Sequence, residues 1–155
     1  MVKVEVSETI DRPVEEVWEF INDVSKISTW DTSISNVKQT STGPIGVGST
    51  AEFKEKTMKN TISMRITEYE PNRKCSFEHT SGPTKGSILT FSLEPIDGKT
   101  RLTWEHGLKF NGLYKLLGPF MSTSRIKKYM ATSLANAKRI LETETKPQVQ
   151  NSTGK

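Results

Sequence analysis

The fold is decided by residues 119–143, whose sequence is PFMSTSRIKKYMATSLANAKRILET. Apolar side chains recur in it at intervals of four, four, three and four residues, at Ile126, Met130, Leu134, Ala137 and Leu141. This period is typical of one face of an amphipathic α-helix. Gly118-Pro119 marks its start, because a proline in the first turn gives up no hydrogen bond. The pattern predicts a helix about 37 Å long.

No second helix of that length is predicted, so the apolar face of this one must pack against a sheet. Between residues 34 and 110, apolar and polar residues alternate as they do in half-buried strands. Turn residues such as Gly, Pro, Asn and Asp interrupt this alternation. Short connections require antiparallel pairing, since parallel strands need a long crossover. Six strands are predicted, near 34–41, 48–57, 61–70, 73–80, 85–94 and 100–110.

The N-terminal part supplies one more strand and two short helices. Val2, Val4 and Val6 alternate with polar residues, which predicts a strand that runs to about Ile10. A helix is predicted from Pro13, and a second, shorter one near 24–28. The predicted fold is α+β: a curved antiparallel sheet of about seven strands wrapped around a long C-terminal helix. Residues 1–145 are predicted to form one domain, and the polar residues 146–155 a disordered tail.

Several short segments resemble one known family. The stretch 12–23, RPVEEVWEFIND, followed by Trp30, is similar to the Pro-x-x-x-Val-Trp opening of the START-like (SRPBCC) helix-grip superfamily, and to its polyketide cyclase/dehydrase-like branch in particular. The similarity continues through Gly46-Val47-Gly48, through 69–73 (YEPNR) and through 100–104 (TRLTW), so it covers residues 2 to about 143. These segments are scaffold motifs and carry no catalytic residue across. The resemblance implies a helix-grip fold with a cavity for lipids, sterols, polyketides or other hydrophobic molecules.

Composition limits the classes of function. The formal net charge is +4, and residues 109–146 hold eight Lys and Arg against two Glu. This basic segment lacks the interleaved aromatic residues of nucleic-acid-binding proteins, so no nucleic-acid partner is predicted. A solvated helix face or transient contact with a membrane surface is compatible with it. A single cysteine, Cys75, allows neither an internal disulfide nor a cysteine-cluster zinc site. Without an apparent signal peptide or membrane span, a cytoplasmic location is expected.

Strand periodicity predicts which side chains face the long helix. Pairing through the turns places Trp104 opposite Phe91, His106 opposite Leu89, and Leu89 opposite Phe77. The protein's two histidines, His79 and His106, then share the apolar face at a separation of about 12 Å. That distance is too long for a shared zinc ion, so neither a metal site nor a cofactor is predicted. The catalytic candidates are His106, His79 and Glu55. The alternative is that both histidines are satisfied interior residues and that Glu55 marks the rim of the sheet.

A hydrophobic cavity between sheet and helix is the predicted binding site. Its predicted lining combines strand residues with residues of the helix: Phe53, Met64, Phe77, His79, Phe91, Trp104 and His106, with Thr123, Ile126, Met130 and Leu134. Three functions remain open: a non-catalytic carrier or sensor of a small hydrophobic or amphipathic ligand, a cyclase- or dehydratase-type enzyme, and a ligand-free interaction module. The absence of a recognisable catalytic motif favours the carrier. The sequence does not predict the oligomeric state.

Overall fold

The computed structural model describes residues 2–117 and 123–144, apart from the side chains of Tyr114 and Leu117. Its elements in chain order are β1 (Val2–Ile10), α1 (Val14–Ile21), α2 (Ile27–Trp30), β2 (Ile34–Gln39), β3 (Thr50–Glu55), β4 (Asn60–Glu70), β5 (Lys74–His79), β6 (Ile88–Ile96), β7 (Lys99–Leu108), α3 (Leu113–Leu117) and α4 (Thr123–Thr143).

The seven strands of the described residues form one curled antiparallel sheet, in the order β1-β7-β6-β5-β4-β3-β2. Strands β2 to β7 form a meander, and β1 closes on β7 from the other end of the chain. This arrangement confirms the predicted helix-grip fold. The register is also confirmed, because Phe91 pairs with Trp104, Leu89 with His106 and Phe77 with Leu89.

The long helix α4 packs its predicted apolar face against the body of the protein. Its five predicted inward residues are all buried, with exposures between 0% and 6%: Ile126, Met130, Leu134, Ala137 and Leu141. The C-terminal end of α4 is held to the residues that follow β1. There Glu142 accepts a hydrogen bond from the backbone N–H of Asp11 at 2.7 Å and forms an ion pair with Lys138 at 2.7 Å. The predicted helix start at Pro119 and the predicted tail lie outside the described residues.

The second short helix begins later than predicted, at Ile27 instead of Val24. Asp23 explains the shift, since its carboxylate accepts hydrogen bonds from the backbone N–H and the hydroxyl of Ser25. This local turn competes with helix formation until residue 26. The later helix brings Trp30 into the core, where it is 2% exposed. None of the described helices is both long and apolar enough to cross a membrane.

Candidate ligand-binding site

A cavity of about 570 Å³ lies between the concave face of the sheet, α2 and α4. Most of the residues that line it are aliphatic or aromatic: Ile21, Ile27, Trp30, Ile34, Phe53, Met58, Ile62, Met64, Phe77, Leu89, Phe91, Trp104, Leu108, Phe110, Ile126 and Tyr129. The polar members of the lining are Asp31, Thr32, Ser33, Glu55, Lys56, Thr57, His79, Thr84, His106 and Arg125. A concave, mostly apolar site with a few polar groups is typical of small-molecule binding.

Eight of the eleven residues predicted for the ligand site line this cavity: Phe53, Met64, Phe77, His79, Phe91, Trp104, His106 and Ile126. The other three lie elsewhere. Met130 and Leu134 are 0% and 1% exposed and belong to the packed core. Thr123, the first residue of α4, is exposed and does not line the cavity. Helix α4 borders the cavity only along its first turns, because farther along it packs directly on the sheet.

Stacked and edge-on rings form one wall of the cavity around Trp104. Its ring stacks on Phe91 at 5.2 Å between centroids and on His106 at 6.1 Å. Trp30 and Tyr129 meet the same ring edge-on, at 6.3 and 6.1 Å. Such contacts fix ring orientations beyond what apolar burial alone would do. The wall is therefore an aromatic surface in which ring–ring contacts orient the side chains.

The two histidines are much closer than predicted. Their ring centroids are 6.2 Å apart, whereas the sequence prediction of about 12 Å was obtained from strand spacing and the rise per residue along the backbone. That prediction treated the sheet as flat. In the folded protein the sheet curls, so side chains on its concave face converge. Even so, among residues 2–117 and 123–144 no group of three or more His, Cys, Asp and Glu side chains could hold a metal ion.

Both imidazoles are neutral near pH 7. Burial lowers the pKa of His79 to about 4. Burial, together with the neighbouring His79, lowers the pKa of His106 to about 3. Each ring makes one hydrogen bond through Nδ1: His79 with the Thr84 hydroxyl at 2.9 Å, and His106 with the Tyr129 hydroxyl at 3.4 Å. Each neutral ring therefore carries a single N–H on one of its two nitrogens.

Four buried nitrogens of the cavity lining have no hydrogen-bond partner in the described part of the protein. They are Nε1 of Trp30 and Trp104 and Nε2 of His79 and His106. A buried polar atom without a partner costs about 1–3 kcal/mol, so native proteins rarely keep several together. All four belong to residues that line the cavity, but the atoms themselves are buried among neighbouring protein groups.

Glu55, the third predicted catalytic residue, also lines the cavity, but its carboxylate is already engaged. It accepts hydrogen bonds from the backbone N–H groups of Met58 at 2.6 Å and Thr57 at 3.1 Å. These bonds close the turn between β3 and β4. Glu55 therefore stabilises the turn between β3 and β4. The sequence had suggested either a catalytic role for it or a position at the rim of the sheet.

Sequence reasoning missed Asp31, which is only 6% exposed and lines the cavity. Its Oδ1 accepts hydrogen bonds from the backbone N–H of Ser33 at 3.0 Å and from the Ser33 hydroxyl at 2.7 Å. Burial raises the pKa of Asp31, and the Ser33 hydrogen bonds act in the opposite direction. No periodic pattern marks Asp31, because it lies in the connection between α2 and β2.

Tyr129 was missed as well, although a signal for it exists in the sequence. Tyr129 lies three residues after Ile126, and residues three apart are neighbours on one face of a helix. Burial raises the pKa of its hydroxyl, with further contributions from Asp31 and Glu55. It stays protonated throughout the ordinary pH range and acts as a neutral hydrogen-bonding group.

The fold, with its cavity between sheet and long helix, defines the class as START-like helix-grip proteins. Within that class, residues 1–142 match the family described as polyketide cyclase/dehydrase and lipid transport. The chain belongs to this family, which confirms the resemblance seen in its sequence motifs. No protein of curated function matches the sequence.

Solved structures share the fold at low sequence identity. The protein TTHA0849 from Thermus thermophilus superposes with a TM-score of 0.75 at 13% identity, over 93% of this chain and all (100%) of that one. The Aha1 dimer from Colwellia psychrerythraea gives a TM-score of 0.67 at 19% identity, over 92% and 98% of the two chains. DynU16, a protein of the dynemicin biosynthetic locus, gives 0.63 at 17% identity over 91% of this chain and 47% of its own. Likeness at these identities establishes the fold alone.

Proposed function

We propose that this protein binds or carries a small hydrophobic or amphipathic molecule in the cavity between the sheet and α4. One observation carries the proposal: a cavity of about 570 Å³ with an aromatic wall and a minority of polar side chains. Its volume is within the range of small-molecule sites, roughly 300–1,000 Å³. Lipids, polyketides and similar molecules fit this description.

The lining indicates how affinity and orientation would be divided. Apolar surface removed from water contributes about 25 cal/mol per Å², so the rings and aliphatic side chains supply most of the binding energy. The polar side chains of the lining supply little net energy but select orientation, since a ligand that removes them from water without pairing them loses affinity. An apolar body with one or two polar atoms satisfies both parts of the site. This division favours a ligand-binding protein over a ligand-free interaction module.

The test is a titration with N-phenyl-1-naphthylamine, an uncharged probe whose fluorescence rises in apolar surroundings. Leu89→Trp fills the cavity from the N-terminal end of β6 and should abolish the fluorescence increase. Ile88→Trp is the matched control, because Ile88 is the adjacent residue, is 41% exposed and does not line the cavity. Equal binding by both variants, or no binding by the wild type, would refute the proposal.

The natural ligand is best sought by native mass spectrometry of protein purified from its own host. A bound molecule should appear as a discrete mass increment in the wild type and disappear in Leu89→Trp. An increment retained by the filled variant would place the molecule outside the cavity.

A second candidate function is acid–base catalysis on the bound molecule. It is favoured by the two neutral imidazoles of His79 and His106, which line the cavity within 6.2 Å of each other. Substituting His106 with Phe separates the two functions. In a carrier it weakens binding of an oxygenated ligand by about 0.5–1.5 kcal/mol and leaves an apolar probe unaffected. In an enzyme it leaves binding nearly unchanged and lowers turnover roughly 10²- to 10⁴-fold.

A further inference from the structure

We propose that the cavity binds an amphipathic anion, whose apolar body lies inside and whose negatively charged end lies at the cavity mouth beside Lys56 and Arg125. The inference rests on the proposed ligand-binding function and specifies the chemical class of the ligand. It concerns the part of the cavity lining that is exposed to solvent.

The mouth of the cavity is identified by residues that line it and are nevertheless exposed. Among the described residues these are Thr32, Lys56, Thr57 and Arg125. They belong to the α2–β2 connection, to the β3–β4 turn and to the first described turn of α4. The other lining residues are buried or half-buried. The cavity therefore meets solvent where these three segments come together.

Both charged residues of the mouth are cations without a counter-ion. The ion pairs of the described residues all use other Lys and Arg side chains, so neither Lys56 nor Arg125 is paired there. All 18 Asp and Glu residues of the sequence belong to the described part of the chain. No acidic side chain is therefore left elsewhere in the sequence to pair with either cation.

The two acidic residues of the lining are engaged by protein donors. Glu55 accepts hydrogen bonds from two backbone N–H groups of the β3–β4 turn. Asp31 is buried, and its Oδ1 accepts from the backbone N–H and the hydroxyl of Ser33. The charge of Lys56 favours the ionised form of Asp31, but burial opposes it more strongly and raises the pKa. The acids are thus held by the protein, whereas the two cations extend into solvent.

The sequence around the mouth is also positive. Residues 106–141 contain seven Lys and Arg and no Asp or Glu. Lys127 and Lys128, which follow Arg125 closely on α4, are exposed as well. A region that carries charge of one sign attracts ligands of the opposite sign. An anion is therefore favoured at this opening before it makes any contact.

An amphipathic anion matches both parts of the site. Its apolar body gains by leaving water for the aromatic and aliphatic lining. Its charged group would lose hydration if it were drawn inside, so it is best placed at the mouth, where water and the two cations remain within reach. A guanidinium and an ammonium group both donate charge-assisted hydrogen bonds to a carboxylate. A cationic end would instead be repelled by Lys56 and Arg125.

The test compares three ligands with the same ten-carbon chain: decanoate, 1-decanol and decylamine. Each is titrated near neutral pH into protein that holds N-phenyl-1-naphthylamine, and the loss of fluorescence gives its affinity. Decanoate should bind about 3- to 10-fold more tightly than 1-decanol, the value of one or two exposed ion pairs, and decylamine should bind most weakly. Raising NaCl from about 20 mM to about 500 mM should reduce the preference for decanoate, because salt screens exposed charges.

Two double variants show whether the preference arises at the mouth. Lys56→Gln/Arg125→Gln removes both cations and should make the affinities for decanoate and 1-decanol nearly equal. Lys54→Gln/Lys127→Gln is the matched control, since these exposed residues lie two positions away, do not line the cavity and change the net charge equally. The control should keep the preference of the wild type. Because the readout is a ratio of two affinities in one protein, a change that affects both ligands alike cancels. Circular dichroism shows that each variant is folded.

The outcomes separate this inference from the proposed function. If N-phenyl-1-naphthylamine does not bind the wild type, the ligand-binding function fails and the inference fails with it. If the probe binds, the function stands, and the inference is overturned by any of three results. These are no displacement by decanoate, equal or tighter binding of 1-decanol or decylamine, and an equal loss of preference in both double variants.

Discussion

At the scale of single residues, several polar side chains of the cavity lining have a buried nitrogen without a hydrogen-bond partner among the described residues. Buried nitrogens in a folded protein almost always have partners, and four of them here have none among the described residues. Two of the four belong to histidines, which burial keeps neutral. The burial that keeps these two histidines neutral therefore makes the fold sensitive to acid.

Trp104 tests the packing at this scale. It is 1% exposed and contacts Phe91, Trp30 and Tyr129, so Trp104→Ala should destabilise the protein by about 3 kcal/mol, at the low end for large aromatics because it borders a cavity. Urea unfolding measures the change. Glu105→Ala is the control on the opposite face of β7. Glu105 only pairs with exposed Lys3 at 3.4 Å, and its loss should cost less than about 1 kcal/mol. A cost that small for Trp104→Ala would contradict the observed packing.

The histidines predict how stability depends on pH. Both pKa values fall from 6.5 to about 4 or 3 on folding, so below pH 6.5 the unfolded chain binds protons that the folded chain does not. The contribution of the histidines to the free energy of unfolding should therefore be complete above pH 6.5. It should decrease as the pH falls to about 5, by up to about 2 kcal/mol for each histidine.

The double variant His79→Phe/His106→Phe isolates this effect. It has no histidine left, while Asp31, whose raised pKa acts in the opposite direction, is retained in both proteins. Urea unfolding from about pH 7 to about pH 5 should show a falling stability for the wild type and a flatter one for the variant. Parallel curves would mean that the histidines do not change their pKa on folding.

At the scale of elements, the turn between β3 and β4 depends on Glu55. Glu55→Ala leaves the backbone N–H groups of Thr57 and Met58 without their acceptor and should cost about 1 kcal/mol. Glu55→Gln should recover part of this, because the amide oxygen still accepts. Thermal unfolding measures both.

The same variants decide whether Glu55 also contacts the ligand. Affinity for N-phenyl-1-naphthylamine should be unchanged in Glu55→Ala. Glu52→Ala is the control on the same strand, where an ion pair with largely exposed Lys38 at 3.8 Å contributes less than about 1 kcal/mol. A tenfold or greater loss of affinity without loss of stability would give Glu55 a direct role in the site.

At the scale of the whole molecule, α4 closes the sheet, and Glu142 holds its C-terminal end to the start of the chain. Besides accepting from Asp11 and Lys138, Glu142 accepts a hydrogen bond from the Arg12 guanidinium through its backbone carbonyl at 3.0 Å. These contacts span nearly the full length of the sequence. They join the connection after β1 to the last turn of α4.

Two truncations test this arrangement and the predicted domain boundary at residue 145. Deleting residues 146–155, which lie outside the described residues, should change the free energy of unfolding by less than about 0.5 kcal/mol. Deleting residues 142–155 removes Glu142 with its hydrogen bonds and should cost about 2 kcal/mol or more. Urea unfolding distinguishes the two. Similar losses in both proteins would show that the terminal residues contribute to the fold.

The sequence by itself determined the elements and their faces. Periods of two and of 3.6 residues are local properties of the backbone, so they predicted the buried face of α4, the parity of the strands and the pairing of Trp104 with Phe91. Turn residues then set the antiparallel order. The helix-grip fold and most of the cavity lining on the sheet followed from these local rules.

Only the tertiary structure decided how the site is assembled. The curl of the sheet brings His79 and His106 within 6.2 Å, and the line of contact between α4 and the sheet leaves Ile126 at the cavity but buries Met130 in the core. Asp31 reaches the site from the α2–β2 connection, where no periodic sequence pattern predicts the position of a side chain. The curvature and closure of the sheet result from packing among residues far apart in the chain, so no local sequence pattern predicts them.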